Sequence, residues 1–588
     1  MIYFADLHIH SRFSRATSRD CNLVELVRWA TLKGIRVLAT GDFTHPEWSR
    51  EIREMLAEAE EGLLRLKDEH LPSTGTLPGG FSPADVRFIL NVEISSIYKK
   101  GGATRKVHNL VFMPDLDAMD RFNKRLDRIG NIKSDGRPIL GLDSRDLLEI
   151  ALETTAESFL IPAHVWTPWF SVLGSKSGFD SVEECFGDLA DHVFALETGL
   201  SSDPEMNHRV ASLDKYTLVS NSDTHSPSKL GREANVFRGL PGYVAIREAI
   251  KGGGVAEFHA SDGDAGEAFL REFDSGSAEP AGFLGTIEFF PEEGKYHLDG
   301  HRKCGVRLDP EETETLGGKC PVCGHAVTVG VINRVNELGA GIATRLPPRA
   351  APFWRMLPLV EIVAQALGMG TQSKKVDAVY HDLLRALGPE LAILRARTIE
   401  EIGEYAPEII TEGIRRVRRG EVSIQAGYDG EYGTVELFGP GEREHYGGQD
   451  AFLPVQKPRR PSSASGRAPG RPRKKKSPSH AQEAPKTGEN SLNDEQLHAV
   501  MCRDRPMLVQ AGPGTGKTRT LTHRIAELIR SGTARPCEIT AVTFTRKAAE
   551  EMRNRLTELL SPEEVRECWV GTFHQLGGRI LEYFAGRG

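Results

Sequence analysis

The chain has 588 residues, 39% of them apolar and 27% charged, with a net charge of −8. No run approaches ~18 uninterrupted apolar residues, which excludes a hydropathy-defined membrane span. The start lacks a basic region followed by an apolar core, so no signal peptide is expected.

At about 150 residues per domain, roughly four domains are expected. Eight scattered cysteines suit a reducing cytoplasm. The opening "MIYFADLHIHSRF" begins as a short apolar strand and then places Asp6, His8 and His10 at alternate positions. Strand side chains alternate faces with period 2, so these three share a face at a strand end. Imidazoles and a carboxylate converging there suit a divalent metal.

Further short apolar runs follow to about residue 240, alternating with amphipathic stretches. This strand-then-helix rhythm predicts an α/β fold with its site at the carboxyl ends of parallel strands. The run ends carry the chemistry. "ATGDFTHP" supplies Asp42 and His45, "NVEISS" Glu93, "KVHNLVF" His108, "IPAHVW" His164, and "NSDTHSP" Asp223 and His225. Any one could be a satisfied structural residue, but their recurrence at run boundaries points to clustered divalent metals. Hydrolysis of a phosphoester is the chemistry such a cluster supports. Asp223, Glu93 and His225 are the expected catalytic residues.

The order HxH, Asp/His, Glu, His, His, DxH resembles the polymerase and histidinol phosphatase (PHP) superfamily. The resemblance implies a distorted (βα)7 barrel over residues 1–270, holding two or three metals: zinc, manganese, iron or magnesium. It carries His8, His10, Glu93, His108, His164, Asp223 and His225 as ligands, with Asp42 and His45 in a stretched version of the family's Asp-His pair. Ser14 and Arg15 stand where many members have another histidine.

Beyond the barrel, "HRKCGVRLDPEETETLGGKCPVC" holds His301-x2-Cys304 and Cys320-x2-Cys323. This spacing predicts one structural zinc in a module at 285–335, with His297 as the rival fourth ligand. A helical tail is expected over 336–440. The barrel, zinc module and tail together resemble the endonuclease Q family, most specifically at "GDFTHPEW", "GSKSGFDSVEECFGD", "ALETGLSSDP", "DTHSPSKLGREAN" and "FFPEEGKYH". That resemblance implies nicking of DNA on the 5′ side of deaminated bases (uracil, hypoxanthine) or abasic sites. Trp166, Trp169 and Phe170 could stack on a turned-out base, or serve as ordinary core and rim aromatics. Lys229, Arg232, Arg415 and Arg416 are expected phosphate contacts, with Arg418 and Arg419 beside them. A solvated basic helix face is the alternative for the four clustered arginines.

A disordered basic linker is expected over 441–490, since "KPRRPSSASGRAPGRPRKKK" holds nine basic residues and no acidic one. It serves as a solvated spacer or a nucleic-acid contact. From 491 to 588 a partial RecA-like domain is expected, opened by "MLVQAGPGTGKTRT". Its loop amides at Gly512, Gly514, Thr515 and Gly516 would cradle the phosphates of ATP, Lys517 would reach the β/γ-phosphates and Thr518 would bind magnesium. With "LNDEQLHAV", "AVTFTRKAAEEMRNRL" and "VGTFHQLGGRIL" it resembles the first motifs of UvrD/Rep-type superfamily 1 helicases. The resemblance implies that Gln496 reads adenine, and that Thr543–Lys547 and Thr572–His574 lie near single-stranded DNA. The acidic magnesium motif and second motor domain do not follow, so the helicase part is expected to be incomplete. Damaged DNA, ATP and other repair factors are the expected partners, at the nucleoid and not at a membrane. A small-molecule phosphatase of histidinol-phosphate type and a non-catalytic DNA-binding scaffold remain the alternatives.

Overall fold

A computed structural model describes residues 1–73, 77–254, 282–339, 347, 350–446, 494–502, 507, 517–543, 546–573 and 575–576. The chain divides into two compact units, Met1–Arg459 and Arg460–Gly588.

The first unit is built on strand β1 (Ile2–Asp6), buried from Tyr3 onward. Asn22 starts the next helix, Leu23–Lys33, by accepting the N–H of Glu25. Gly34 ends it in the left-handed conformation and feeds β2 (Ile35–Ala39). Short strands β3 (Leu56–Glu58) and β4 (Leu64–Leu66) lead to the long β5 (Arg87–Lys100) and β6 (Ala103–Met113). These two form a hairpin whose turn, Gly101-Gly102, has φ of 60° and 77°. Glycine adopts that hand without a Cβ clash, which suits the strands' twist. Strands β7 (Ile139–Leu140), β8 (Phe159–Pro162), β9 (Ala195–Glu197), β10 (Thr217–Val219) and β11 (Ala234–Arg238) follow.

The result is a mixed α/β sheet. β1, β2 and β5 run parallel, β11 is antiparallel to β1, β6 pairs β5 and β8, and β9–β10 form a separate parallel pair. Val165 N–H donates to the Glu197 carbonyl (3.0 Å), and Ile9 bridges Thr224, tying the segments after β8 and β10 to β9 and β1. The carboxyl ends of β1, β8, β9 and β10 thereby converge.

The expected boundaries at 270, 285 and 336 differ from the structure. β12 (Gly282–Glu288) pairs antiparallel with β11, and β15 (Phe353–Arg355) pairs with β12, so both extend the main sheet. The reason is burial: every residue of β12 is buried. Between them a small hairpin, β13 (Asp299–His301) and β14 (Val306–Leu308), carries the cysteine cluster. Helices Leu359–Leu367, Lys374–Leu387, Glu390–Arg395 and Glu408–Arg419 share the main apolar core. A buried ion pair, Lys33 Nζ to Glu390 at 2.7 Å, fastens them to the first helix, and Glu390 also accepts from Tyr380 (2.6 Å) and Leu359 N–H (3.1 Å).

In the second unit, strands Thr540–Thr543 and Trp569–Thr572 pair in parallel, with helix Arg546–Thr557 between them in sequence. They share a small core with helix Lys517–Arg530, including Ile525, Ala541, Met552, Leu556 and Val570. Among the described residues no helix is long and apolar enough to cross a membrane.

Candidate metal centre

Two donor groups meet at the strand ends, His8–His10–Asp223 and Glu93–His108–His164; within each, the ligand atoms lie within 4.8 Å of one another. Glu93 joins them. Its Oε2 is 3.2 Å from His10 Nε2 and 3.7 Å from His8 Nε2, while its Oε1 is 2.6 Å from His108 Nδ1 and 3.2 Å from His164 Nε2. Asp223 Oδ1 lies 3.2 Å from His10 Nε2 and 3.6 Å from His8 Nε2.

Behind the donors, carboxylates fix the rings. His8 Nδ1 is 3.0 Å from Glu197, and His10 Nδ1 is 3.1 Å from Asp42. Each Nδ1–H donates backward, which turns the Nε2 lone pair toward the centre. Glu197 also accepts the His164 N–H (2.8 Å) and an Asn221 amide N–H (2.8 Å), so one carboxylate braces both groups.

The donor set fits divalent cations. His8 Nε2, His10 Nε2 and Asp223 Oδ1 are buried with no hydrogen-bond partner, and such atoms are costly unless something binds them. The field agrees. Burial opposes a positive charge on His8 and His10, but Glu197, Asp223, Glu93 and Asp42 outweigh it and hold both imidazoles well above their ordinary value. Burial also disfavours the charged carboxylate at Glu93, yet His108, Arg137 and His8 hold it well below its ordinary value. Burial brings His108 down to about 4. The acids thus stay ionised and set up a negative field at the donors, which a bound cation would neutralise.

The backbone is also unusual here. His164, Asp223 and Asp42 have positive φ, at 32°, 44° and 50°. Non-glycine residues rarely adopt this region, and their concentration at one centre marks a functional constraint.

Other expected residues fall elsewhere. Asp42 stands behind His10, held by Ser11 N–H and Oγ (2.7 Å each), and is not in either donor group. His45 stacks on Phe13 at 4.4 Å and precedes helix Pro46–Met55, also outside both groups. His225 lies at the mouth, its ring 4.5 Å from that of His10 and its Nδ1 3.0 Å from the Asp223 carbonyl. Asp6 does not reach the donors, because its carboxylate accepts the N–H of Ser222 and Gly231 (3.1 Å each). Glu197 and Arg137 were missed by sequence reasoning. Glu197 lies in the quoted stretch "ALETGLSSDP", directly after the apolar Ala195-Leu196, a signal that could have found it; Arg137 has none.

Of the three aromatics, Trp166 is core, its indole N–H on Asn207 at 2.7 Å, and Phe170 packs on His108; Trp169 is exposed. Arg232 donates to the Ser222 carbonyl (2.9 and 2.8 Å), bracing the turn into Asp223, and Lys229 pairs with Glu361 at 3.1 Å. Arg415 and Arg416, expected as phosphate contacts, carry ion pairs in the structure. Both are tied to Glu412, and further to Glu421 and Glu442 respectively, at 2.7–2.8 Å. Arg418 donates to the carbonyls of Leu394, Ile393 and Arg397. Glu412 of the same helix, Glu421 just after it and the more distant Glu442 thus pair with Arg415 and Arg416.

The second cluster gathers His301, Cys304, Cys320 and Cys323, leaving His297 outside. Cys323 Sγ is 3.3 Å from His301 Nδ1. The Cys323 and Cys320 thiols push Cys304 up to about 11, while burial of Cys320 is outweighed by backbone N–H groups of Cys323 and Val322, which bring it down to about 6.

In the second unit, Gln496 lies in helix Asp494–Met501, and Lys517 and Thr518 open helix Lys517–Arg530. Gly512, Gly514, Thr515, Gly516, His574 and the basic linker lie outside the described residues.

With the fold and donors in place, the chain compares as follows. A solved endonuclease Q, bound to a 27-mer duplex with an abasic lesion at its active site, superposes with a TM-score of 0.61 and 30% identity, covering 75% of this chain and 98% of that one. The lesion-specific endonuclease PfuEndoQ from Pyrococcus furiosus gives 0.62 and 29%, covering 76% and 97%. This α/β, metal-centred architecture is that of a nuclease-type hydrolase. The chain belongs to the endonuclease Q family.

Residues 492–587 match the UvrD/REP helicase N-terminal domain, and residues 358–421 match the MJ0043 C-terminal domain. The uncharacterized protein MJ0043 of Methanocaldococcus jannaschii is 30% identical over 289 residues, 48% of this chain and 32% of its own length. The ATP-dependent DNA helicase PcrA of Leuconostoc citreum is 51% identical over 92 residues, 16% of this chain and 12% of its own. The chain thus spans about a third of the first relative and an eighth of the second.

Proposed function

We propose that the first unit is a metal-dependent DNA-repair endonuclease that nicks 5′ of deoxyuridine, deoxyinosine or an abasic site. The observation that carries this reading is the pair of donor groups sharing the Glu93 carboxylate, in a chain of the endonuclease Q family. The converging strands are read as a distorted PHP-type barrel, and His8, His10, Glu93, His108, His164 and Asp223 would hold two or three divalent ions (zinc, manganese, magnesium or iron). When bound, such ions make water acidic and draw charge from the scissile phosphate. Glu197 and Asp42 keep the imidazoles aimed. His225, a third exposed with Nδ1 on the Asp223 carbonyl, presents Nε2 at the mouth to move a proton.

Water oxygen bonds to phosphorus, the P–O3′ bond breaks, and one water proton ends on O3′. The products are a 3′-hydroxyl and a 5′-phosphate on the lesion nucleotide. The cysteine cluster is read as a structural zinc. Residues 492–587 are read as the nucleotide-binding part of a superfamily 1 helicase ATPase, taking ATP and magnesium at Lys517 and Thr518.

The test incubates the full chain with labelled duplexes, each carrying one defined lesion. A nick only beside the lesion is expected. It should be lost with chelator, return with manganese or magnesium, and weaken steeply as salt rises. A free base released before any nick, or equal cutting of undamaged duplex, would overturn the reading.

A further inference from the structure

Arg137 enters the centre from a loop, not from a strand end. Its Nη1 lies 3.0 Å from Glu93 Oε2, on the His8–His10–Asp223 side of that shared carboxylate. Among the described residues, Glu93 alone accepts from its guanidinium, and the side chain stays 26% exposed. A guanidinium has five N–H donors in a planar fork, so donors remain toward the open mouth.

The loop holds it firmly. Asp135 accepts the N–H groups of Arg137 (3.1 Å) and Arg15 (3.3 Å). Gly136 N–H donates to the Phe13 carbonyl at 3.0 Å, and Ser95 N–H to the Pro138 carbonyl at 3.0 Å. A Cβ on Gly136 would stand 2.4 Å from Asp42 Oδ2 and 2.7 Å from Ser14 Oγ, so only glycine lets the loop approach this closely. Three segments that also carry or flank centre residues therefore fix one cation at the mouth. A cation placed with this care beside an acid that the metals would share has a second task available. Once Glu93 is engaged by metal, its hold on Arg137 weakens and the fork can turn to another anion.

We infer that Arg137 binds the non-bridging oxygens of the scissile phosphate and stabilises their charge as phosphorus becomes five-coordinate. This rests on the endonuclease reading above. Planar, two-point recognition of phosphate is what arginine does better than lysine.

The experiment compares the full chain with Arg137→Lys and Arg137→Ala on a labelled duplex carrying one abasic site, under single-turnover conditions with DNA affinity measured separately. The expected result is a loss of cleavage rate of about 10²–10³-fold in Arg137→Ala, with only partial recovery in Arg137→Lys. Metal content and thermal stability should match wild type. Added guanidinium ion at millimolar concentration should partly restore Arg137→Ala, a readout that a purely structural role would not move. Wild-type rates in Arg137→Ala, or a loss accompanied by missing metal and no rescue, would overturn the inference while leaving the endonuclease reading intact. Absence of nicking by the wild-type chain would overturn that reading and this inference with it.

Discussion

The two ligand clusters of the first unit are built in opposite ways. The strand-end centre draws donors from His8 to Asp223, more than two hundred residues apart, and most of these are buried. The cysteine cluster takes four donors from His301 to Cys323, beside a small apolar cluster of its own whose buried members are Leu308, Cys320 and Val327. Sheet pairing, Glu197 and Asp42 hold the first centre in shape by themselves. The second has too little core to do so, and on the proposed reading a bound metal would supply its local folding energy. On the proposed reading, the contrast is between a centre organised for chemistry and one organised for structure.

The sharpest way to break this contrast is at Asp223. Asp223→Asn should cut nicking by about 10²–10³-fold or more, since a carboxamide cannot give a metal the same charge. Circular dichroism and thermal unfolding should stay those of the wild type. A folded variant with full activity would remove Asp223 from the chemistry.

Glu197→Gln tests the bracing behind the donors. It keeps the shape but weakens the acceptor for His8 Nδ1 and His164 N–H, and should cost about 10–100-fold in activity or metal affinity. An unchanged variant would show that the sheet alone orients the rings.

At the second cluster the outcome should reverse. Cys320→Ser should lower bound metal by about one ion per chain and raise amide exchange across 299–328, while protection over 1–254 persists. His301→Ala should do the same and His297→Ala should not. Retained metal in Cys320→Ser would mean the cluster is not a zinc site.

The smallest effect expected lies beneath the first centre. Burial pushes Glu288 up to about 8, against hydrogen bonds from Thr286, Thr198 and Ser220. The folded state therefore holds a proton that the unfolded chain releases near its ordinary value. The stability this gives is complete below that value and declines as pH rises to about 8. Glu288→Gln should flatten that decline in melting temperature; an unaltered slope would place the titration elsewhere.

Much of this was legible in the chain. Donors at the ends of apolar runs mark themselves, because strand period and burial leave few reasons for a histidine there. His8, His10, Glu93, His108, His164 and Asp223 could be read in this way, as could the cysteine spacing. Asp42 was legible as a site residue but not its place behind His10, since ligand and brace have the same chemistry and differ only by a few ångströms. The basic run Arg415–Arg419 read as an open face because Glu442, which neutralises Arg416, is 26 residues away.

The sequence by itself determined which residue types were available and in what order: an alternating α/β pattern, two sets of metal donors, a basic linker and a phosphate loop. These follow from local spacing and side-chain chemistry. Only the tertiary structure decided that β12 belongs to the main sheet, that Glu93 is shared between two donor groups, that Glu197 braces both, and that Arg137 stands at the mouth. Each depends on distances between segments far apart in the chain, set by how buried strands and loops pack, and no local spacing encodes such a distance.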